Sequence, residues 1–192
     1  PLNKMKNIKF GLMGAGGFGR EVMPFAKTSI ARSLQISPDK IDTYFIETWD
    51  PKESKVNGYP TLSLNDFINI DGEKYFNVAV GNGKDRETMV RQIENYAKPL
   101  TLQTLQTTIL ECNIIEEGSI FCPNTMVTSN AVIGKFFQCN IYSYVAHDCV
   151  IGNFVTFAPG VRCNGRVQID DYAYIGTNAI IREGTPNKPL HI

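Results

Sequence analysis

The pair best suited to acid–base chemistry in this chain is a histidine followed directly by an aspartate, His147 and Asp148. An imidazole changes its charge near neutral pH, and a neighbouring carboxylate orients the ring and raises its basicity. From the residues alone, an exposed polar histidine is more often a bystander, so both interpretations stay open. The chain has only one other histidine, His191. A zinc site of three histidines is therefore excluded, and we expect no metal.

A second candidate site is the run from Gly14 to Gly19, which contains the spacing Gly-x-Gly-x-x-Gly. It follows an apolar run at residues 8–13, predicted to be a strand, and precedes an amphipathic stretch that reaches about Leu34. In that context the glycines allow a phosphate to approach the backbone, and the helix N-terminus supplies N–H groups and partial positive charge. The alternative is a glycine-rich turn with a purely structural role.

The first half of the chain alternates strand and helix patterns, which predicts a small parallel sheet with crossover helices. About three strands fit before Pro99, and Glu47 lies 28 residues after Gly19. A complete dinucleotide-binding fold is therefore not expected, although half of one could hold the nucleotide of a nucleotide-sugar. Trp49 could stack on a base or simply cover apolar surface. The further elements predicted are strands at 43–46 and 75–80, a turn at 58–60, and helices at 64–68, capped by Ser63, and at 85–96.

The amino-acid composition excludes several classes of protein. The 192 residues carry 19 basic and 19 acidic side chains, so the charge excess typical of a nucleic-acid binder is missing. No run approaches 18 consecutive apolar residues, and no secretory signal is visible at the N-terminus. Five cysteines without a Cys-x-x-Cys pair argue against a disulfide framework and favour the cytoplasm. We expect the native start at Met5, with residues 1–4 added to it.

The second half of the chain contains an internal repeat of six residues. Every sixth residue from 109 to 181 is apolar, and the side chain four residues after each anchor is mostly small. The anchors are Ile109, Ile115, Phe121, Val127, Ile133, Cys139, Val145, Ile151, Phe157, Cys163, Ile169, Ile175 and Ile181.

A period of six predicts a solenoid with three flat faces, one hexapeptide on each face and 18 residues in each coil. Residues 18 apart then stack, which gives three inward ladders over about four coils, a parallel β-helix. His147 lies two residues past the inward anchor Val145 and therefore near a corner. Ser129 precedes it by one coil and Gly165 follows by one coil, so we expect room for a substrate beside the imidazole.

These features together resemble a known family. The repeat resembles the left-handed β-helix of the hexapeptide-repeat acyltransferases. With the glycine-rich start and the segment from His147 to Gly152, the whole chain from Met5 to Ile192 is similar to sugar acyltransferases of the sialic acid O-acetyltransferase type. That family includes N-acetyltransferases of nucleotide-linked 4-amino-6-deoxy sugars. The resemblance implies a Rossmann-like nucleotide-sugar-binding domain at 5–100 and a left-handed β-helix acyltransferase domain at 101–192.

The resemblance also implies site residues. His147 is the expected general base and Asp148 its partner. The nucleotide-sugar is expected on three segments, namely Gly14, Ala15, Gly16 and Gly17; Glu47 and Thr48; and Gly81 and Asn82. Here Glu47-Thr48 stands where relatives carry two acids. Acetyl-CoA, the expected donor, would run along Asn164, Gly165, Gly176 and Thr177. Some relatives contact the cofactor through a second histidine. This chain has Thr156 at that position, so we expect Thr156 among the cofactor-binding residues, with any hydrogen bond made by its hydroxyl.

The leading hypothesis is acetyl transfer from acetyl-CoA to the 4-amino group of a nucleotide-linked deoxysugar, within surface glycan or lipopolysaccharide biosynthesis. The alternatives are O-acetylation of a sugar hydroxyl and a non-catalytic module that binds a nucleotide-sugar. The family implies a homotrimer, and aromatic residues expected on the flat faces would supply its contacts. These are Phe136, Phe137, Tyr142, Tyr144, Phe154, Tyr172 and Tyr174. Relatives continue with another coil beyond Ile192, so we expect the C-terminus to be incomplete. His191 follows the loop at 186–189, and we expect it to lie outside the repeat.

Overall fold

A computed structural model describes residues 7–192, so the expected start at Met5 lies outside the described part of the chain. The chain divides into two compact units. The first unit contains the described residues up to Val80 together with Thr88–Leu100, and the second contains Gly81–Glu87 and Thr101–Ile192. In residues 7–192, no helix is both long and apolar enough to cross a membrane.

The first unit is built on a six-stranded sheet in the order β3-β4-β2-β1-β5-β6. All neighbouring strands are parallel except β3 and β4, and the central β1 pairs with both β2 and β5. Met13 aligns with Ile46 and Val78, so the carboxyl ends of the three inner strands share one edge. The strands are β1 Ile8–Met13, β2 Ile41–Glu47, β3 Lys55–Val56, β4 Tyr59–Ser63, β5 Glu73–Val78 and β6 Lys98–Pro99.

The helices α1 Gly17–Leu34 and α2 Leu64–Asn69 accompany these strands, and α3 Gly83–Ile93 is divided between the two units. The predicted cap of α2 is confirmed, since the Ser63 Oγ accepts a hydrogen bond from the Asp66 N–H at 3.1 Å. The expectation of three strands is wrong. Gly58 does turn, with a φ of 85°, but the chain resumes an extended conformation at once and β4 joins the sheet beside β2. A proline within β4 concealed this strand in the sequence.

The second unit contains fifteen short strands in three parallel sheets of five, the architecture that the repeat predicts. The sheets are β7-β10-β13-β16-β19, β8-β11-β14-β17-β20 and β9-β12-β15-β18-β21. The strands are β7 Leu102–Gln103, β8 Thr108–Ile109, β9 Ile114–Ile115, β10 Ile120–Phe121, β11 Met126–Val127, β12 Val132–Ile133, β13 Gln138–Cys139, β14 Tyr144–Val145, β15 Val150–Ile151, β16 Thr156–Phe157, β17 Arg162–Cys163, β18 Val167–Ile169, β19 Tyr174–Ile175, β20 Ile180–Ile181 and β21 Leu190–His191.

The three inward ladders are confirmed, because the strand registers align anchors 18 residues apart and their side chains form one core. The expectation that His191 lies outside the repeat is wrong. His191 pairs with Gln168 across β21 and β18, 23 residues apart, so the last coil carries five extra residues. That insertion interrupts the period of six and hides the final strand from a search at fixed spacing.

The aromatic prediction is wrong for three of its residues. Phe136, Phe137 and Phe154 are buried. Phe137 turns inward against Phe121 and Phe157. Phe136 and Phe154 lie at successive corners with left-handed backbone and stack with their ring centroids 5.4 Å apart. Segment 81–87 packs on this column: a Cβ at Gly83 would lie 2.5 Å from the Phe154 carbonyl oxygen.

Candidate functional site

The acid–base pair lies at the corner that follows β14. Asp148 has a left-handed backbone, with a φ of 59°, a conformation that aspartate tolerates better than most residues. This turn places its carboxylate beside the preceding side chain, and the His147 Nδ1 lies 2.8 Å from the Asp148 Oδ2. Both side chains are about two-fifths exposed. The pair is therefore accessible to solvent, and the contact between the two side chains fixes their relative orientation.

Gly165 creates the space in which the imidazole lies. The register of β14 and β17 places residue 165 one coil after residue 147. A Cβ at Gly165 would stand 2.5 Å from the His147 Cε1 and 2.7 Å from Nε2. The imidazole itself therefore occupies the glycine slot, where we expected room for a substrate beside the ring. Any side chain at position 165 would displace the histidine.

Two further charged residues surround this pair, and no pattern in the sequence marks either of them. Arg166 contacts Glu183 at 2.5 Å and lies 3.7 Å from the Asp148 Oδ2. The Glu183 Oε1 lies 3.9 Å from the His147 Nε2. The hydrogen bond from His147 lowers the pKa of Asp148, with a smaller electrostatic contribution from Arg166. Asp148 is therefore a carboxylate at neutral pH.

This arrangement defines which ring nitrogen is available for chemistry. A carboxylate only accepts hydrogen bonds, so the neutral ring bound to Asp148 carries its proton on Nδ1. Nε2 then keeps its lone pair and points away from Asp148. A nucleophile that approaches Nε2 can lose a proton to it, which is the geometry of a general base oriented by a carboxylate.

The first unit contains a cavity of about 780 Å³. Its lining brings together two of the predicted substrate segments, Ala15 and Gly16 from the loop after β1 and Glu47 and Thr48 from the end of β2. Trp49, 82% exposed, is on the rim, as the stacking hypothesis requires. The lining also includes Arg20 and Lys52, which sequence reasoning missed.

The glycines of the first loop divide into two kinds. Gly14 has a φ of 98°, and a Cβ at Gly19 would lie 1.8 Å from the Gly14 carbonyl oxygen, so these two permit the tight turn and the close start of α1. A Cβ added at Gly16 or Gly17 would meet no atom within 4 Å, which leaves their backbone open to a ligand. The last two are the positions at which a phosphate could approach.

Gly81 and Asn82 belong to the second unit, where a buried arginine holds them. The Asn82 Oδ1 accepts hydrogen bonds from the Lys84 and Asp85 N–H groups at the start of α3. The Thr156 hydroxyl donates to the Gly81 carbonyl at 2.7 Å and accepts from the Arg86 Nη1 at 2.9 Å. Arg86 also donates to the Val155 carbonyl, and its burial lowers its pKa to about 9. The structure thus brings Thr156 together with Gly81.

The remaining predicted cofactor residues lie on the later coils. The Asn164 side chain accepts from the Tyr144 hydroxyl and donates to the Ile181 carbonyl, each at 2.7 Å. Gly176 and Thr177 are exposed, and a Cβ at Gly176 would meet no atom within 4 Å. Among residues 7–192, no group of three metal-ligating side chains is positioned to hold an ion.

No family model matches the chain. The chain is 41% identical over 185 residues to GDP-perosamine N-acetyltransferase from Escherichia coli O157:H7, a match that covers 95% of this chain and 82% of the relative.

Two solved structures are also similar. WeeI from Acinetobacter baumannii AYE superposes with a TM-score of 0.87 at 46% identity, covering 96% of this chain and 85% of that one. The acetyltransferase domain of PglB from Neisseria gonorrhoeae FA1090, solved in complex with acetyl coenzyme A, gives a TM-score of 0.77 at 26% identity, covering 91% and 82%. The expected fold, a small Rossmann-like parallel sheet followed by a left-handed β-helix, is confirmed.

Proposed function

This chain belongs to the hexapeptide-repeat N-acetyltransferases of nucleotide-linked amino sugars, and from that membership we propose that it acetylates the 4-amino group of GDP-perosamine or a closely related nucleotide-sugar. Acetyl-CoA is the proposed donor, as in the complex of the PglB domain. The observation that carries the proposal is the 41% identity over 185 residues to a GDP-perosamine N-acetyltransferase. The pairing of His147 with Asp148 at 2.8 Å supports it independently.

In the proposed reaction, His147 acts as the general base. Its Nε2 takes a proton from the ammonium form of the acceptor, and the nitrogen of the resulting neutral amine then forms a bond to the thioester carbonyl carbon. The carbon–sulfur bond breaks, and the CoA thiolate leaves and takes the remaining extra proton from that nitrogen. Asp148 keeps the proton of the ring on Nδ1 and stabilises the imidazolium that forms. General base catalysis of this kind contributes roughly 10²–10⁴ in rate.

We propose that the first-unit cavity holds the nucleotide. Within the segment from Gly14 to Gly17, Gly16 and Gly17 present open backbone at the start of α1, where partial positive charge favours a diphosphate. Glu47 and Thr48 line the same cavity and are suited to hydrogen bonds with the sugar or base of the nucleotide. We also propose substrate contacts for Gly81 and Asn82.

For CoA we propose contacts with Asn164, Gly165, Gly176 and Thr177, which follow His147 along the solenoid. Thr156 was expected in this set. Its hydroxyl makes hydrogen bonds to Gly81 and Arg86 and is nearly inaccessible, so we assign it to holding the Gly81 loop.

We further propose a homotrimer that works in the cytoplasm and supplies surface glycan assembly such as that of lipopolysaccharide. An apolar column supports the trimer, because Ile114, Val132 and Val150 stack on the outer surface and are 60%, 41% and 44% exposed. Five free cysteines suit a reducing compartment. Light scattering would give about three times the chain mass of 21.4 kDa, and a monomer at micromolar concentration would contradict the trimer.

The activity is tested by measuring release of free CoA from acetyl-CoA with GDP-perosamine as acceptor. We expect CoA release that depends on the acceptor and a product that resists mild alkali, because an amide survives where an ester is cleaved. An alkali-labile product would show O-acetylation. Binding of the nucleotide-sugar without CoA release would favour the non-catalytic module.

A further inference from the structure

The side chain of Glu183 faces the working nitrogen of His147 across a glycine. The registers of β14, β17 and β20 align residues 147, 165 and 183 in one column, each one coil after the last. Residues two coils apart are normally separated by the side chain between them. Here position 165 is glycine, so the Glu183 Oε1 comes within 3.9 Å of the His147 Nε2.

The two facing atoms are both hydrogen-bond acceptors. Asp148 keeps the ring proton on Nδ1, so the neutral ring offers a lone pair at Nε2, and the Glu183 carboxylate has no proton to give. Two acceptors at this separation gain nothing from each other. A nitrogen about 2.9 Å from each atom fits between them and can donate to both.

The charges of the surrounding side chains also favour a positively charged nitrogen between these two atoms. Asp148 and Glu183 each carry a negative charge, and Arg166 carries the one fixed positive charge among these side chains. Arg166 contacts both carboxylates and holds Glu183 in position. These three fixed charges leave one negative charge unbalanced, which one added cation neutralises.

We propose that Glu183 binds the acceptor as its ammonium ion and thereby selects an amine over a hydroxyl. Aliphatic amines, with pKa values of about 8 to 10, are mainly protonated at neutral pH. An ammonium can donate to Glu183 and His147 together, whereas a hydroxyl has one hydrogen and leaves one acceptor unmatched. His147 then removes one proton from the bound ammonium, and the neutral amine attacks the thioester. This inference rests on the proposed acetyl transfer and explains why the acceptor is an amine nitrogen and not a hydroxyl oxygen.

The test compares Glu183→Gln with the wild type on two ligands, GDP-perosamine and its analogue with a hydroxyl in place of the amine. We expect the acceptor KM of E183Q to rise about tenfold, the scale of one charged hydrogen bond, while kcat stays within about threefold. Inhibition by the hydroxyl analogue should change less than about twofold, because the lost interaction requires the ammonium. Glu117→Gln is the matched control, since Glu117 is a similarly exposed solenoid carboxylate in an ion pair with Lys135.

The outcomes separate this inference from the activity on which it rests. A wild-type enzyme that releases no CoA overturns the proposed function and this inference with it. A wild type that turns over, with E183Q unchanged toward the amine, overturns only the role of Glu183. If E183Q weakens the binding of amine and hydroxyl ligands equally, or lowers kcat alone, then Glu183 only supports the position of Arg166 and Asp148. Either result also overturns the proposed role of Glu183 in binding the ammonium.

Discussion

The imidazole of His147 lies directly against the backbone of Gly165, one coil further along the solenoid, with Cε1 2.5 Å from where a Cβ would stand. The 18-residue coil brings these two positions together, and the absence of a side chain at 165 leaves the ring its place. The site therefore depends on a glycine as much as on the histidine.

Gly165→Ala should lower kcat by at least about tenfold, because the added methyl pushes the imidazole from its position beside Asp148 and misplaced catalytic groups lose rate steeply. The backbone at 165 is not left-handed, so the variant should fold. Steady-state kinetics with circular dichroism as the folding check will measure this. Wild-type kcat in the folded variant would show that the ring position is not critical.

Asp148→Asn should change the pH dependence of stability. His147 holds the pKa of Asp148 below its ordinary value of 3.8 in the folded protein, so the carboxylate stabilises the fold above that pH and loses its contribution as the pH falls through the lowered pKa. The melting-temperature gap between wild type and D148N should be largest near neutral pH and shrink as the pH falls below 3.8 and through the lowered pKa of Asp148. A gap that is constant or grows in acid would argue against a stabilising bond to His147.

Thr156→Val should destabilise the second unit by about 1–3 kcal/mol, because it removes an acceptor from the buried Arg86 and a donor from the Gly81 carbonyl. Val has nearly the same shape, so packing is preserved. Denaturant unfolding will measure the change, with Thr108→Val at an exposed strand position as the control. Equal stability of T156V and the control would mean that these hydrogen bonds contribute nothing net.

Gly16→Val should raise the acceptor KM at least about tenfold, because a branched side chain blocks a diphosphate from the backbone at the start of α1. The position has open space and an ordinary φ of −69°, so the fold should tolerate the change. The KM for acetyl-CoA serves as the internal control and should not move. An unchanged acceptor KM would show that the nucleotide does not bind at this loop.

The sequence predicts the solenoid well because thirteen apolar anchors repeat every six residues. The position of each anchor can be assigned from its own coil alone. It fails where the period is interrupted or where distant segments meet. The five extra residues before β21 conceal the strand that contains His191. Phe136 and Phe154 look exposed in the repeat but are buried in a column on which segment 81–87 packs.

Some residues of the candidate site could likewise be predicted from the sequence, and others could not. His147 and Asp148 are neighbours in sequence, so their pairing could be anticipated, and Gly165 follows from the coil length. Arg86 could not be found, because its contact with Thr156 joins residues 70 apart and no periodic pattern marks it. Glu183 stands two coils from His147, and its approach is visible only when the glycine between them is placed in space.

The most direct test of the account compares His147→Ala with His191→Ala. His191 pairs with Asp170 at 2.8 Å on the same solenoid, so it is a matched histidine–carboxylate pair without a proposed role in the reaction. H147A should lower kcat by roughly 10²–10⁴, because a general base acts in the transition state. H191A should retain wild-type kcat. Folded H147A that turns over within about threefold of wild type would contradict the assignment of His147 as the base.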